Sequence, residues 1–439
     1  MKVLITMYDI NNPGGIINHN ENLIAGLKEL GHEVDFVELL WRERSSEKRV
    51  SDKTGFEEKH SGYPVHQGKG WLFPVQKRIP YKGRENIAWW LDFANQFDLI
   101  IWQIPVPTKR KDNQGNNDWP YLYELDPGVN QIAIIHDGNL AKSYPWIEHI
   151  GERLSGLACV HPCAYHGAGT TNIPRALIFN PQEVDNHPVP SWAEKEKGFI
   201  SLQTFKAWKH VDDLVRSIPH MRKDTVKYLA GGGIEYNYMT SKDKCKEHYF
   251  VSSADTDIDP SEYGRKIWDV ALDNGMSWLG YITETAGKEH MQKLRCLIDP
   301  SWSKAYAKVG DHFNRVVVDG MLEGAIPVAR NLGISTNESG IGEVFKPGKH
   351  YVMVPYDAKP KEFADIVEEV VNFPEQEAEQ YYINHQELLQ EFDRRHIAEQ
   401  YIELGAGLPC GFHSRIDVGE QDKKSMTKSI QTLSEFFGV

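Results

Sequence analysis

Short apolar runs alternate with amphipathic stretches along the first part of the chain. An apolar run at residues 3–7 is followed by a glycine-containing turn at 11–15 and a helical pattern that ends at Gly31. The strand pattern then resumes, and continuous apolar runs recur at 98–102 and 131–135. Continuous rather than alternating apolar runs are typical of parallel strands buried on both faces. This order predicts a βαβ unit that continues into an α/β domain.

A polar, proline-rich segment at residues 184–197 interrupts this pattern, and we interpret it as an interdomain linker. A second α/β series follows, with strands or strand ends predicted at 199–202, 228–233, 278–281, 296–298, 326–329 and 352–355. Helices are predicted at 360–373, 375–403 and 424–437. The chain is therefore predicted to form an N-terminal domain at 1–190, a second domain at 191–405, and an extension at 406–439 that carries a terminal helix.

The segment from Asp311 to Asp319 carries two carboxylates separated by seven residues, in an apolar run predicted to open a helix. That spacing places both acids on roughly one helix face. The unpaired amides of a helix start, here around Phe313, Asn314 and Arg315, suit a diphosphate. The second carboxylate suits the hydroxyls of a ribose. An N-capping aspartate followed by an unrelated helical aspartate is the simpler alternative.

Composition narrows the class of protein. A chain of 439 residues suggests two or three domains. No apolar run approaches 18 residues, so no membrane span is expected. Five cysteines without a framework spacing fit a reducing cytosol, so a cytoplasmic location is expected. Cys159 and Cys163, with His161 and His166 nearby, do not have a standard zinc spacing, and we predict no metal site.

Charge is distributed unevenly. The net charge of −13 argues against a generally nucleic-acid-binding surface. Residues 42–85, however, hold eleven Lys or Arg against six Asp or Glu, interleaved with aromatic residues that continue to Trp90. Residues 108–118 add three adjacent cations. Basic and aromatic residues in this mixture can pair phosphates and stack bases, although a solvated loop is the simpler alternative.

The order of motifs over nearly the whole chain resembles that of retaining glycosyltransferases with the GT-B fold. The motifs that carry the resemblance are Gly14-Gly15, Gly31 to Val34, His136-Asp137, Phe179 to Pro181, Ala207 to His210, Ala230 to Gly233, Leu279 to Ile282 and the pair Asp311 and Asp319. The resemblance implies an α/β fold of two Rossmann-like domains facing a central cleft.

The resemblance also implies residue roles. The catalytic set would be His136, Asp137, Lys209 and Asp311. The donor-binding set would be Gly14, Gly15, Thr204, Lys206, Gly232, Tyr281, Ile282, Phe313, Asn314, Arg315 and Asp319. Lys209 would neutralise the diphosphate, aided by Lys206 or Arg315, and Asp319 would bind the ribose. Turn, cap and surface roles are the alternatives for these polar residues.

Three positions depart from the family pattern. The family usually has Glu at both acid positions, and both are Asp here. Thr204 stands where an Arg is usual, five residues before Lys209, and Lys206 is expected to supply that charge instead. His210 replaces the Gly that normally follows the Lys. The diphosphate end of the site is therefore the part in which this chain differs most from the family.

The predicted function is transfer of a sugar, with retention, from a nucleotide sugar to a hydroxyl acceptor. A UDP-sugar is the expected donor, acting as co-substrate, and no essential cofactor is expected. Divergent glycosyltransferases of bacteriophages that modify hydroxylated bases in DNA look similar in organisation, including the Trp208-Lys209 pair. A DNA acceptor would bind through residues 42–90 and 108–118, and a viral protein would act in the host cytoplasm. A saccharide, glycoconjugate or lipid-linked acceptor, nucleotide-sugar epimerisation, and non-catalytic binding of a nucleotide sugar are the alternatives.

Overall fold

The computed structural model describes residues 1–8, 15–39, 65–66, 91–103, 125–136, 153–161, 164–165, 168, 172–184, 188–240, 248–250, 258–301, 315–330 and 344–411. The chain divides into two compact units. The described part of the first unit comes from residues 1–184 and 391–411, and that of the second unit from residues 188–390. The predicted terminal helix at 424–437 lies outside the described residues.

The first unit is built on a parallel sheet in the strand order β3-β2-β1-β4-β5-β6-β7. The predicted βαβ unit is present as its opening element. The elements are β1 (Lys2–Tyr8), α1 (Gly15–Glu29), β2 (Glu33–Leu39), β3 (Val65–His66), β4 (Leu99–Trp102), β5 (Asn130–Ile135), β6 (Gly156–Cys159) and β7 (Arg175–Leu177). Every side chain of β4 and β6 is buried, which explains why these strands have continuous apolar sequences.

The second unit is built on another parallel sheet, in the order β10-β9-β8-β11-β12-β13. Its strands are β8 (Glu196–Thr204), β9 (Val226–Gly232), β10 (Met276–Gly280), β11 (Leu294–Asp299), β12 (Ile326–Ala329) and β13 (Val352–Met353). Its helices are α2 (Val211–Ser217), α3 (Ile234–Thr240), α4 (Ile267–Asp273), α5 (Glu284–Lys293), α6 (Arg315–Leu322), α7 (Pro360–Val371) and α8 (Glu375–Leu389). Among the residues described in the two units, no helix has both the length and the apolar character that crossing a bilayer requires.

The helix predicted at 375–403 is two helices, because α8 ends at Leu389 and α9 (Arg394–Gly405) starts after a new cap. The Asp393 carboxylate accepts hydrogen bonds from the amides of the next turn, which is a strong helix start. Arg394 pairs with Glu29 at 2.5 Å and with Glu183 at 2.7 Å, both in the first unit. The observed grouping thus differs from the predicted domain 191–405, since long-range packing that local patterns do not encode places α9 with the first unit.

Contact between α9 and α1 is close. A Cβ atom on Gly26 of α1 would overlap the carbonyl oxygen of Arg394, so a larger residue there would push the two helices apart. On the sheet side, a Cβ on Gly405 would lie 2.8 Å from Leu99 of β4. The last described helix of the chain is therefore part of the core of the first unit.

A buried lysine holds two helices of the second unit at their carboxyl ends. The Lys195 ammonium, 3% exposed, donates to the carbonyl oxygens of Met291 at 3.1 Å, Gln292 at 2.6 Å and Glu323 at 3.1 Å. The last carbonyls of a helix lack partners within the helix and lie at its negative end. Burial lowers the pKa of Lys195 to about 8, so it is mostly protonated at neutral pH. This contact fixes α5 and α6 relative to each other.

Two histidines of the second unit are buried in the neutral form. His385 of α8 contacts the His350 carbonyl oxygen through Nε2 at 2.8 Å, and His350 Nδ1 accepts from the Lys346 amide at 3.0 Å. Burial lowers the pKa of both imidazoles to about 4. Because an unfolded histidine titrates near pH 6.5, the folded state binds fewer protons than the unfolded state between these values.

The free energy of unfolding is therefore expected to fall as the pH decreases from 6.5 towards 4. The 1% exposed His385 is expected to contribute up to about 3 kcal/mol of this loss. Denaturant unfolding of wild type and His385→Gln at pH 7 and about pH 4.5 measures this loss of unfolding free energy. Gln is chosen because it keeps an N–H donor and does not titrate. His220→Gln, at a partly exposed histidine of the same unit, is the control. Equal acid sensitivity in wild type and His385→Gln would contradict the prediction.

Candidate functional site

The strand order of the second unit reverses between β8 and β11. In open parallel sheets, ligands bind beyond the carboxyl ends of the strands at such a switch point. Here Gln203, near the end of β8, donates from Nε2 to Oδ1 of the buried Asp299 at 3.0 Å, at the end of β11. The Ser301 hydroxyl donates to the same oxygen at 2.5 Å. These bonds fix the two strand ends that border the candidate site.

A glycine turn follows β9 at this edge. Gly231 has φ 113°, and a Cβ there would overlap the Gln203 carbonyl oxygen, so only glycine fits. Gly232 pairs in register with Thr204, and a Cβ on Gly232 would lie 3.1 Å from the Tyr281 ring. That ring is 80% exposed. The structure thus brings three predicted donor-binding residues, Thr204, Gly232 and Tyr281, next to one another.

The second acid of the predicted pair, Asp319, lies in the middle of α6, one turn from Arg315, the first residue of that helix. Arg315 Nε is 3.6 Å from Asp319 Oδ1, and Arg315 Nη2 is 3.4 Å from Glu284 Oε1 at the start of α5. Oδ1 of Asp319 and Nη1 of Arg315 are buried and have no hydrogen-bond partner among the residues that the structure describes. Burial raises the pKa of Asp319, and the Arg315 charge opposes that shift.

A buried acceptor without a donor is unfavourable, so the site suits a ligand that supplies hydroxyl donors. The Asp319 side chain as a whole is 15% exposed, so it is not fully enclosed by the protein. Ile282, which is partly buried, packs with Val316 of α6 and Leu202 of β8 around one apolar cluster. The start of α6 and the loop after β10 are therefore held close to the same sheet edge.

The two predicted lysines follow β8. Lys206 is exposed and precedes a short 3₁₀ turn, Ala207–Lys209, in which the Lys209 amide donates to the Lys206 carbonyl oxygen at 2.8 Å. Lys209 is 7% exposed. The next residue, His210, ends the turn in the left-handed conformation with φ 46° and ψ 38°, and α2 begins directly after it. This conformation favours glycine, which explains the glycine that the family pattern expects at position 210.

His210, Asp212 and Asp213 form a group whose ligand atoms lie within 4.8 Å of one another. This spacing would allow a metal ion to bind. However, Oδ2 of Asp213 already accepts from Nη2 of the buried Arg330 at 2.9 Å. Because that guanidinium charge would repel a cation, we assign no metal to this group.

The first unit has its own polar cluster at the end of β5. His136 Nε2 lies 2.8 Å from Gln103 Oε1, which as an acceptor assigns the proton to Nε2. His161 Nε2 lies 3.0 Å from the His136 carbonyl oxygen, and the ring of His19 contacts that of His136 edge-on at 5.5 Å. Burial first, and then repulsion from His19 and His161, hold the pKa of His136 well below its usual value. His136 is therefore a neutral imidazole at pH 7.

His19 was not predicted from the sequence, yet it joins three segments of the first unit. Its Nδ1 lies 2.8 Å from Asn180 Oδ1, and its Nε2 lies 3.3 Å from the Tyr401 hydroxyl of α9. The imidazole is fully buried. The sequence does show a histidine on the apolar face of α1. It does not show the partners of that histidine, because they lie far away in the chain.

Several predicted site residues lie outside the described residues, namely Gly14, Asp137, Asp311, Phe313 and Asn314. Gly15 is described as the first residue of α1. The side chain of Trp208 is not described. Of the segments 42–90 and 108–118, proposed to bind DNA, only Val65–His66 is described, as β3.

Neither a family model nor a curated protein sequence matches this chain. Solved structures match it through the fold. HepE from Anabaena, in complex with UDP and glucose, is 15% identical, with a TM-score of 0.60 and coverage of 93% of this chain and 100% of that chain. An alpha-glucosyltransferase in complex with UDP-glucose and DNA containing an abasic site is 13% identical, with a TM-score of 0.60 and coverage of 92% and 99%.

A variant of S. aureus TarM, in complex with fondaparinux, alpha-GlcNAc-glycerol and UDP, is 11% identical. Its TM-score is 0.58, and the match covers 92% of this chain and 99% of that chain. These similarities and the two parallel sheets confirm the predicted fold class. The chain has the α/β GT-B fold, with two Rossmann-like units.

Replacing His210 by glycine is expected to raise the free energy of unfolding by about 1 kcal/mol, because glycine adopts the left-handed conformation without strain. Denaturant unfolding measures the change. The control is His290→Gly inside α5, which should lower the free energy of unfolding by about 1 kcal/mol. A loss of stability in His210→Gly similar to that in His290→Gly would refute the strain at His210.

Proposed function

We propose that this chain transfers a sugar from a nucleotide sugar, with a UDP-sugar as the expected donor, to a hydroxyl acceptor. The observation that carries the proposal is the buried Asp319 oxygen without a donor, close to Arg315 at the carboxyl edge of the second sheet. The GT-B fold supports it, since matched proteins of that fold are described with UDP or UDP-glucose.

The nucleoside end of the donor would bind along β9, β10 and α6. Asp319 would accept hydrogen bonds from the ribose hydroxyls, and Arg315 would favour its ionised form. The exposed ring of Tyr281 and the neighbouring Ile282 would border the base. The shorter Asp side chain in place of Glu requires the ribose to approach the α6 backbone more closely.

The diphosphate would be neutralised by Lys209, aided by Lys206 or Arg315. In the reaction, the bond between the anomeric carbon and the β-phosphate oxygen breaks, and a bond to the acceptor oxygen forms with retention. The leaving diphosphate keeps the bonding electrons, so cations and amide donors placed near it lower the barrier. Amides near Gly14 and Gly15 and at the start of α6 would complete this site, with Asp311 on the sugar side.

The first unit would supply the acceptor side. His136 would contact the sugar as a neutral hydrogen-bonding group, which its low pKa supports. Asp137 would orient the acceptor hydroxyl or accept its proton as that oxygen attacks.

For the acceptor, we propose hydroxylated bases of DNA. The basic and aromatic segments 42–90 and 108–118 support this choice, as does the fold match to an alpha-glucosyltransferase described with DNA. A saccharide or glycoconjugate acceptor is the second candidate, favoured by the match to TarM described with alpha-GlcNAc-glycerol. A cytoplasmic location is proposed with either acceptor, and the buried free thiols of Cys159, Cys296 and Cys410 are consistent with a reducing compartment.

A panel of nucleotide sugars tests donor and acceptor together. Release of free nucleotide and transfer of labelled sugar are measured with hydroxymethylated DNA, with unmodified DNA and with glycosides. We expect a UDP-sugar to support transfer to hydroxymethylated DNA, and we expect transfer to weaken at high salt because phosphate contacts are screened. Transfer to glycosides alone would replace the DNA proposal, and tight binding of a nucleotide sugar without transfer to any acceptor would indicate a non-catalytic binder.

Lys209→Ala is expected to lower kcat about a hundredfold or more, because the leaving diphosphate loses its main cation. Steady-state kinetics with the best donor from the panel measures the effect. The matched control is Lys361→Ala, an exposed lysine of the same unit paired with Asp365, which should leave kcat unchanged. An unaltered kcat in Lys209→Ala would remove this residue from the site.

Asp319→Ala is expected to weaken binding of UDP about tenfold or more, because charge-assisted hydrogen bonds to the ribose are lost. Calorimetric titration of UDP and of 2′,3′-dideoxy-UDP measures the loss. Wild type should prefer UDP strongly, and Asp319→Ala should bind the two ligands alike. Asp365→Ala, which removes an exposed carboxylate of the second unit, is the control. A preserved preference for UDP in Asp319→Ala would show that Asp319 does not contact the ribose.

A further inference from the structure

Arg330 is a buried charge next to the candidate site and belongs to none of the motifs recognised in the sequence. It follows β12 at the carboxyl edge of the second sheet and is 1% exposed. Its Nη1 donates to the Pro355 carbonyl oxygen, its Nη2 donates to Asp213 Oδ2 at 2.9 Å, and its guanidinium lies 5.3 Å from the centre of the Phe363 ring. Burying a guanidinium costs several kcal/mol, and an apolar side chain could pack against Phe363 at least as well. Packing alone therefore does not explain why this buried position carries a charged side chain.

The partner of Arg330 belongs to the segment that carries Lys209. Asp213 lies in the first turn of α2, and its amide donates to the His210 carbonyl oxygen at 3.1 Å. The Asp213 carboxylate also lies 3.7 Å from His210 Nδ1. Arg330 and Asp213 thus connect the end of β12 to the turn between β8 and α2.

That turn is strained at the residue after Lys209. Among the described residues other than glycine, His210 is the only one with a positive φ. A non-glycine residue in the left-handed region costs about 1–2 kcal/mol and persists where surrounding contacts fix it. The Arg330–Asp213 pair is such a contact, because it holds the helix turn that starts at His210. A relaxed His210 would change the direction in which the preceding 3₁₀ turn presents Lys209.

We infer that Arg330 is a positioning residue, which fixes the turn at residues 206–210 through Asp213 and so directs Lys209 towards the diphosphate of the donor. The inference rests on the proposed function, in which Lys209 neutralises the leaving group. The other acids that face Arg330 electrostatically are Asp212 and Asp357, and among these carboxylates Asp213 is the one bonded to the guanidinium. Arg330 itself would not contact the donor.

A double-mutant cycle with Lys209 tests the inference. Arg330→Met and Asp213→Asn are made in the wild type and in Lys209→Ala, and UDP release from the best donor is followed. In the wild-type background, each variant is expected to lower kcat about tenfold, with a smaller change in KM, because the cation acts mainly on the developing charge. In the Lys209→Ala background, the same changes should lower kcat by less than about twofold, because the main cation that the turn positions is already absent.

Arg295→Met is the matched control. Arg295 is also buried in the second unit, lies 4.7 Å from the Trp192 ring centre and donates to the Val371 and Trp192 carbonyl oxygens. It belongs to the amino end of β11, away from the candidate site. Its replacement should lower the melting temperature while kcat of the folded enzyme stays within about twofold of wild type.

Asp213→Asn keeps the side-chain shape and one acceptor oxygen of Asp213. This variant therefore provides the test on its own if Arg330→Met does not fold. Equal relative losses of kcat in both backgrounds would overturn the inference while leaving the proposed function intact, because Arg330 would then act independently of Lys209. A wild-type protein that neither binds nor turns over a nucleotide sugar would overturn both.

Discussion

A parallel sheet brings the carboxyl ends of all its strands to one edge, and the candidate sites of this protein depend on that constraint. In the second unit, it places the glycine turn after β9, the lysine turn after β8 and the acid-bearing helix after β11 along one border. In the first unit, it places His136 and Gln103 at the ends of adjacent strands. Residues far apart in the sequence thereby become neighbours.

Buried charged side chains then fix the positions of the helices that begin or end at that border. Lys195 joins the carboxyl ends of α5 and α6, so the starts of those helices, where Glu284 and Arg315 meet, are also held together. Arg330 similarly connects the end of β12 to the first turn of α2. Each of these charges is costly to bury and has a specific set of partners, so each favours one arrangement of the backbone over similar packed alternatives.

The sequence predicted most of the strands and several of the helices, because continuous apolar runs and glycine turns are local signals. It also named Thr204, Gly232 and Tyr281 as donor-binding residues, and the structure brings these three next to one another. It missed the Gln203–Asp299 bond and the role of Arg330, because these depend on which strands become neighbours. The assignment of α9 to the first unit was missed for the same reason, since Arg394 finds its partners in segments about 200 residues or more earlier in the chain.

The return of α9 to the first unit makes the second unit an insertion within the first. During synthesis, α1 and the sheet of the first unit emerge from the ribosome long before the helix that covers Gly26 and supplies Tyr401 to His19. The described residues of the second unit all lie between positions 188 and 390, so they are synthesised before the helix that covers this face of the first unit. We therefore expect the second unit to finish folding before the first, and the unfinished first unit to be the stage at which a chaperone matters most.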